Sequence, residues 1–128
     1  MIDLALIIFV SIPEQKMYVA TETEVITYTV STGSEQYPTP EMATVIDIKY
    51  DSATIVNPPG FPVTYRIEDV PYIMCPQDNP EYCIHPNLSD TPVGTQASFG
   101  CVRMRESDAK ELFDMTSEGT PYIISNGV

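Results

Sequence analysis

A cysteine and a histidine are the residues of this chain best suited to carry chemistry. Cys101 lies in the run Gly100-Cys101-Val102-Arg103, and the only histidine, His85, precedes it by sixteen residues. A thiol is a strong nucleophile only as its thiolate, so it needs a base or a positive charge nearby. If the chain folds back between them, His85 would serve as that base. The chemistry that suits such a pair is acyl transfer through a covalent intermediate on Cys101.

The neighbours of Cys101 favour the same chemistry. Gly100 lets the backbone approach a substrate closely, and the amides of Gly100 and Cys101 could point at a developing oxyanion. Arg103 lies two residues further on, hence on the same side of a strand, where it could lower the thiol pKa or hold a substrate carboxylate. An ion pair with Glu106 or Asp108 is the alternative for Arg103.

Cys101 and His85 could instead have only structural roles. A cysteine is often a small buried hydrophobic residue, and a lone histidine often only makes structural hydrogen bonds. For Ser98, a structural role in the turn before Cys101 is favoured over a chemical role.

The elements that must position these residues are predicted to be strands. Short runs of β-branched and aromatic residues are bounded by Pro, Gly and Ser, which is typical of a mainly β protein. The predicted strands are residues 4–12, 16–20, 25–31, 44–49, 63–67, 72–74, 82–85 and 121–125. Residues 56–62 hold three prolines and a glycine and are predicted only to connect. Residues 76–80 form a Pro-rich loop suited to a lid or a recognition loop.

One helix is predicted, after the cysteine. Ser107 is its expected cap and Gly119 its expected end. Its apolar face is expected to consist of Ala109, Leu112, Phe113 and Thr116 or Met115.

Size and charge limit the class of protein. The 128 residues, 43% of them hydrophobic, predict one globular domain over residues 1–128. With 18 acidic against 6 basic side chains the net charge is −12, which disfavours nucleic acid and anionic lipid as partners and favours a soluble monomer. The longest apolar run, residues 4–10, is too short to span a bilayer and lacks the basic flank of a signal peptide. We therefore expect it to be a strand, with no export signal in this chain.

The three cysteines leave two possibilities open. Cys75 and Cys83 could form a disulfide with Cys101 as a free thiol, as an odd count in a secreted protein suggests, or all three could be reduced. Three thiols with one distant histidine do not have the spacing of a zinc finger.

The run from Ala97 to Met104 resembles the signature of the L,D-transpeptidase catalytic domain, Ser/Thr-His-Gly-Cys-hydrophobic-Arg/Asn. That signature follows an Ile-His-Gly, which resembles Ile84-His85-Pro86 here. Residues 13–19 resemble the opening hairpin of the family, residues 30–33 with 37–40 the next landmark, and residues 105–120 the helix after the cysteine. The resemblance covers roughly residues 5–125, and several landmarks in order are a stronger signal than one motif.

The resemblance implies a β-sandwich with few helices and a peptidoglycan L,D-transpeptidase located in the periplasm or cell wall. Cys101 would attack a tetrapeptide stem, release D-Ala and pass the acyl group to an amine or to water. His85 would be the base, oriented by the backbone carbonyl of Pro86. Arg103, Tyr72 and Ser98 would lie beside the substrate. No metal or cofactor is implied.

Two positions depart from the family pattern. Phe99 stands where the second histidine is usual, and Pro86 stands where the glycine is usual. A catalytically degenerate domain that binds peptidoglycan without turnover is therefore the alternative hypothesis. A carboxypeptidase that trims stems with water is a third.

Overall fold

The chain is described by a computed structural model over residues 6–56 and 66–127. The strands are β1 (Ile7–Ser11), β2 (Lys16–Ala20), β3 (Val25–Ser31), β4 (Met42–Val56), β5 (Arg66–Pro76), β6 (Ile84–Pro86), β7 (Val102–Met104) and β8 (Pro121–Ser125), and the helix is α1 (Glu106–Met115). The predicted fold class, mainly β with one helix late in the chain, is confirmed among these residues. Strands β2, β3 and β8 have the bounds that the sequence predicts.

The strands hydrogen-bond in one closed order, β1-β2-β3-β7-β6-β5-β4-β8. Most neighbours are antiparallel, but β1 runs parallel to β8 and β6 runs parallel to β7. The core fills the inside of this barrel because alternate residues of each strand point inward. Its fully buried members include Ile8, Val19, Met74, Ile84, Val102, Met104 and Tyr122.

Strands β4 and β5 form a hairpin much longer than the sequence predicts. Strand β4 pairs with β8 through Met42–Val45 and then with β5 from Ile46 onward. A register shift between Ile46 and Ile48 breaks the alternation that residues 44–49 show in sequence, and a second shift follows between Ala53 and Ile55. Of the predicted strand 63–67, residues 63–65 lie outside the described residues, as do residues 57–62 of the predicted connection; Val56 itself ends β4.

The predicted helix ends are wrong at both termini. Strand β7 leads almost directly into α1, so the N-cap is Arg105, with no side-chain cap hydrogen bond, and Ser107 lies inside the first turn. The helix stops at Met115 because Thr116 is already extended and its hydroxyl donates to the Leu112 carbonyl at 2.6 Å. Gly119 lies beyond, in the turn to β8.

The carbonyls at the end of α1 are capped from another element. Lys49 Nζ donates to the carbonyls of Phe113 and Thr116 at 2.6 and 2.7 Å and lies 4.1 Å from the centroid of the Phe113 ring. This places a positive charge at the negative end of the helix dipole. Ala109 and Leu112 are buried, as the predicted apolar face requires, and Phe113 and Met115 pack at its edge. No helix in the described residues is long and apolar enough to cross a membrane.

Candidate active site

Strands β6 and β7 position the cysteine and the histidine. They pair in parallel with Ile84 opposite Val102 and His85 opposite Arg103. Since Ile84 and Val102 point into the core, His85 and Arg103 point to the outer face. Cys101 directly precedes β7 and lies two residues before Arg103, whose charge acts on both Cys101 and His85. The structure therefore places the predicted base and cation side by side on adjacent strands, with the predicted nucleophile at the start of the second strand.

Cys101 is a free and buried thiol. Its side chain is 7% exposed, and its sulfur donates a long hydrogen bond of 3.6 Å to the carbonyl of Glu81. Burial raises the pKa of the thiol to about 11. A hydrogen bond from the backbone of Cys83 and the charge of Arg103 oppose that rise, while the carboxylate of Glu81 adds to it. At neutral pH Cys101 is thus a thiol.

A backbone carbonyl orients the imidazole of His85. Its Nδ1 lies 2.8 Å from the carbonyl oxygen of Pro86, and the ring is 5% exposed. If Nδ1 carries the proton and donates it to that carbonyl, Nε2 has the lone pair that can accept a proton. Burial lowers the pKa of His85 to about 4, with a further lowering by Arg103 and an opposing rise from the Pro86 hydrogen bond. The imidazole is therefore neutral at pH 7.

The turn before the nucleophile is built on Ser98. Its hydroxyl donates to the Cys101 carbonyl at 2.6 Å and accepts the Gly100 amide at 3.1 Å, and the side chain is buried. The Gly100 carbonyl in turn accepts the Thr39 hydroxyl at 2.6 Å. Ser98, which is 1% exposed, therefore fixes the backbone that carries the sulfur.

Gly100 has a steric role at this turn. Its φ of +123° is one that side chains rarely tolerate, and a Cβ there would collide with the Tyr82 ring. Its amide is already bonded to Ser98, whereas no acceptor for the Cys101 amide lies within the described residues. Of the two amides that the sequence suggests for an oxyanion, that of Cys101 is the one left to donate.

A second set of hydrogen bonds, which the sequence did not predict, supports the turn that contains Ser98. The Gln15 side chain is buried and donates to the Thr32 hydroxyl at 2.7 Å, and its oxygen accepts the Thr32 amide at 3.0 Å. The Thr32 carbonyl then accepts the amides of Ala97 and Ser98.

A cavity of about 560 Å³ opens over Cys101. Its walls come from the outer face of the β4–β5 hairpin and from the segment before β6. The described residues that line it are Ile48, Tyr50, Ala53, Thr54, Ile55, Val56, Ile73, Cys75, Pro80, Glu81, Cys83 and Cys101. This volume is within the range of small-ligand sites.

A disulfide joins Cys75 at the end of β5 to Cys83 just before β6, with the Cα atoms 4.2 Å apart. It closes the loop that contains Pro80 and Glu81, and both of these residues line the cavity. Of the two redox possibilities that the sequence leaves open, the structure has the bridge, with Cys101 as the free thiol.

Tyr72, Arg103 and Phe99 were also singled out in the sequence, and each has different surroundings in the structure. Tyr72 lies on the opposite face of β5 from the cavity, with its ring 5.7 Å from that of Phe113 on α1. Arg103 makes no ion pair within the described residues, and Asp108 pairs instead with Arg105 at 3.8 Å. Phe99 lies at the surface, 37% exposed, in an edge-on contact with Tyr37.

No cluster of three or more His, Cys, Asp or Glu side chains within residues 6–56 and 66–127 is arranged to hold a metal ion.

Comparison with known proteins gives a consistent result. The family model for the L,D-transpeptidase catalytic domain matches residues 5–124. An L,D-transpeptidase from Mycobacterium smegmatis is 21% identical, with a TM-score of 0.83 over 94% of this chain and 58% of that one. L,D-transpeptidase 3 from Mycobacterium tuberculosis, solved with a faropenem-derived adduct, is 20% identical, with a TM-score of 0.83 over 94% and 60%. No curated protein matches the chain.

An Enterococcus faecium L,D-transpeptidase, solved as a cysteine-to-serine mutant, is 24% identical, with a TM-score of 0.82 over 94% of this chain and 50% of that one. At these identities the likeness to solved structures establishes the fold. The present chain spans 50–60% of the length of these three relatives.

Proposed function

The chain belongs to the L,D-transpeptidase catalytic domain (YkuD) family, and on that premise we propose that it is a peptidoglycan L,D-transpeptidase with Cys101 as its nucleophile. The observation that carries the proposal is the shared outer face of β6 and β7, where His85 and Arg103 are paired in register and Cys101 directly precedes the second strand. The substrate is a tetrapeptide stem that ends in D-Ala.

In the acylation step, Cys101 Sγ attacks the carbonyl carbon at the L-centre of the diamino-acid residue. The thiol proton passes to Nε2 of His85, and the Pro86 carbonyl, 2.8 Å from Nδ1, stabilises the imidazolium that forms. The tetrahedral oxyanion accepts a hydrogen bond from the Cys101 amide. When the C–N bond breaks, His85 returns its proton to the departing D-Ala amine and a thioester remains.

In the transfer step, an amine from a second stem attacks the thioester. The C–N bond forms, the C–S bond breaks, and a proton from the amine passes through His85 to the sulfur. The product is a 3-3 cross-link. Water in place of the amine gives a trimmed stem, which is carboxypeptidase activity.

Arg103 supplies the fixed positive charge of the site. It has no ion-pair partner within the described residues and its charge lowers the pKa values of both Cys101 and His85. It therefore favours the thiolate that must form during attack and keeps the imidazole neutral until then. Its guanidinium is also suited to bind the terminal carboxylate of D-Ala in two-point fashion.

We place the domain outside the cytoplasm, at the cell wall, because its substrate is there. The Cys75–Cys83 disulfide supports this location, since such bridges persist in oxidising compartments. The closed loop of this length contributes on the order of 2–3 kcal/mol to stability in the chain-entropy picture.

The test is product analysis by mass spectrometry. The protein is incubated with a disaccharide-tetrapeptide, and the expected products are free D-Ala and a cross-linked dimer. The Cys101→Ala variant should yield neither. A tripeptide without dimer would identify a carboxypeptidase, and absence of both products from folded protein would refute the enzyme assignment.

A second candidate function is supported by the burial of the nucleophile. Cys101 is 7% exposed and His85 is 5% exposed, and burial raises the pKa of the thiol to about 11, which disfavours the thiolate, as expected of a domain that binds stems without turnover. Such a domain would bind the tetrapeptide with unchanged affinity after Cys101→Ala and would release no D-Ala. Calorimetric titration of both proteins, beside the product analysis, separates the two functions.

A further inference from the structure

The charge distribution around the cavity is uneven. Its described lining contains one carboxylate, Glu81, and neither lysine nor arginine, and most of the remaining lining is apolar. Arg103, on β7, is not among the described residues that line the cavity, although its charge acts on Cys101. A ligand in the cavity beside Cys101 therefore meets one negatively charged side chain and, among the described lining residues, no positively charged one.

Glu81 is held close to the reacting sulfur. Its backbone carbonyl lies 3.6 Å from Cys101 Sγ, and its carboxylate acts on the thiol by raising its pKa. The disulfide between Cys75 and Cys83 closes the loop around it, so this residue is fixed against the cavity and its side chain remains exposed to an incoming ligand.

We infer that Glu81 is a specificity-determining residue that binds the primary ammonium group of the stem's diamino-acid residue beside Cys101. This inference rests on the proposed function, because it assigns a role within that reaction. A carboxylate among apolar walls favours a cation over a neutral or anionic group, since the low dielectric strengthens the pairing and water is partly excluded. The net charge of −12 acts in the same direction by raising the local concentration of cationic ligands.

The ammonium group has two sources in the reaction, the donor stem and the acceptor stem, and both present the same chemistry to Glu81. A donor ammonium bound there would speed formation of the thioester. An acceptor ammonium bound there would raise the share of thioester that is captured by amine instead of water.

The test uses calorimetry with the Cys101→Ala protein, so that binding is measured without turnover. Two tetrapeptide stems are compared, one with the side-chain amine free and one with it acetylated. The free amine should bind about tenfold more tightly, and Glu81→Gln in the same background should abolish that preference. Asp78→Asn is the control: it removes one negative charge from the same loop, at a residue that does not line the cavity, and the preference for the free amine should remain. Equal preference with and without Glu81→Gln would overturn the inference.

Turnover with otherwise unmodified protein then assigns the source. Glu81→Gln lowers the rate of D-Ala release if the bound ammonium is the donor's, and lowers the ratio of dimer to tripeptide if it is the acceptor's. Faropenem has a carboxylate and no amine, so formation of its covalent adduct tests the reactivity of Cys101 independently of ammonium binding at Glu81. Absence of a faropenem adduct on the unmodified protein would contradict the proposed function, while the calorimetric result would still decide the role of Glu81.

Discussion

The inner and outer faces of β6 and β7 are built on one backbone and carry opposite chemistry. Inward, Ile84, Val102 and Met104 are fully buried in the barrel core. Outward, His85 and Arg103 form the candidate site with Cys101, which directly precedes β7. Because side chains alternate along a strand, packing of the inner set fixes the register of the outer set. The core residues of these strands are therefore part of what positions the reaction.

The largest effect on the outer face is expected from His85→Gln. Without the base, acylation of Cys101 by faropenem should slow by about 10²–10⁴-fold. The fold should persist, because glutamine places a neutral polar side chain of similar length at this buried position. Stopped-flow acylation kinetics and a thermal melt measure the two effects. An acylation rate within threefold of the unmodified protein would remove His85 from the mechanism.

On the inner face, Met104→Ala should mainly affect stability. Loss of a fully buried side chain should cost about 2–5 kcal/mol in the free energy of unfolding. The matched outer change, Arg103→Gln one residue earlier, should cost less than about 1 kcal/mol and should weaken binding of the stem carboxylate. Urea unfolding at neutral pH compares the two. Equal stability losses would contradict the separation of the faces.

A pH dependence follows from the buried imidazole. The pKa of His85 in the folded chain, about 4, lies below its ordinary value of 6.5, so between these values the unfolded chain binds a proton that the folded chain does not. The stability from this group is complete above pH 6.5 and is lost as the pH falls towards 4, by about 3 kcal/mol. Urea unfolding at pH 7.5 and 4.5 should show this loss relative to His85→Gln. Parallel losses in both proteins would contradict it.

A smaller effect than that of Met104→Ala is expected at the turn that precedes β7. Ser98→Ala removes the bonds to the Cys101 carbonyl and the Gly100 amide and should cost about 1–3 kcal/mol in stability. Acylation should also slow, since the sulfur loses its fixed position. Ser107→Ala, an exposed change in the first turn of α1, is the control and should leave both unaltered. A Ser98→Ala protein with unaltered acylation would show that this turn does not position the nucleophile.

Much of the fold was predictable because its strands alternate regularly. Strands β2, β3 and β8 follow period-two patterns bounded by turn residues, and the apolar spacing of Ala109 and Leu112 identifies the helix. The extent of β4 was not predictable, since its register shifts move Ile46 and Ile48 to opposite faces. The start of α1 was missed because it lacks the side-chain cap that sequence reasoning seeks.

Within the candidate site, only the residues that belong to a recognisable sequence motif were predictable. Cys101, His85 and the Pro86 carbonyl are local features of two short runs. The orientation of Tyr72 was not predictable from the sequence, since β5 is irregular there and Tyr72 itself has a φ of +54°. The contacts of Gln15 with Thr32 and of Thr39 with Gly100 join residues 17 and 61 positions apart, and a local pattern contains no signal for such pairs.

The most direct test of the central claim is the mass of the intact protein after brief exposure to a carbapenem at neutral pH, beside the Cys101→Ala variant. These compounds acylate an activated nucleophile and leave an inert buried thiol unmodified. We expect one adduct per chain on the unmodified protein and none on the variant. A folded protein without an adduct, or an adduct that persists in Cys101→Ala, would contradict Cys101 as the nucleophile.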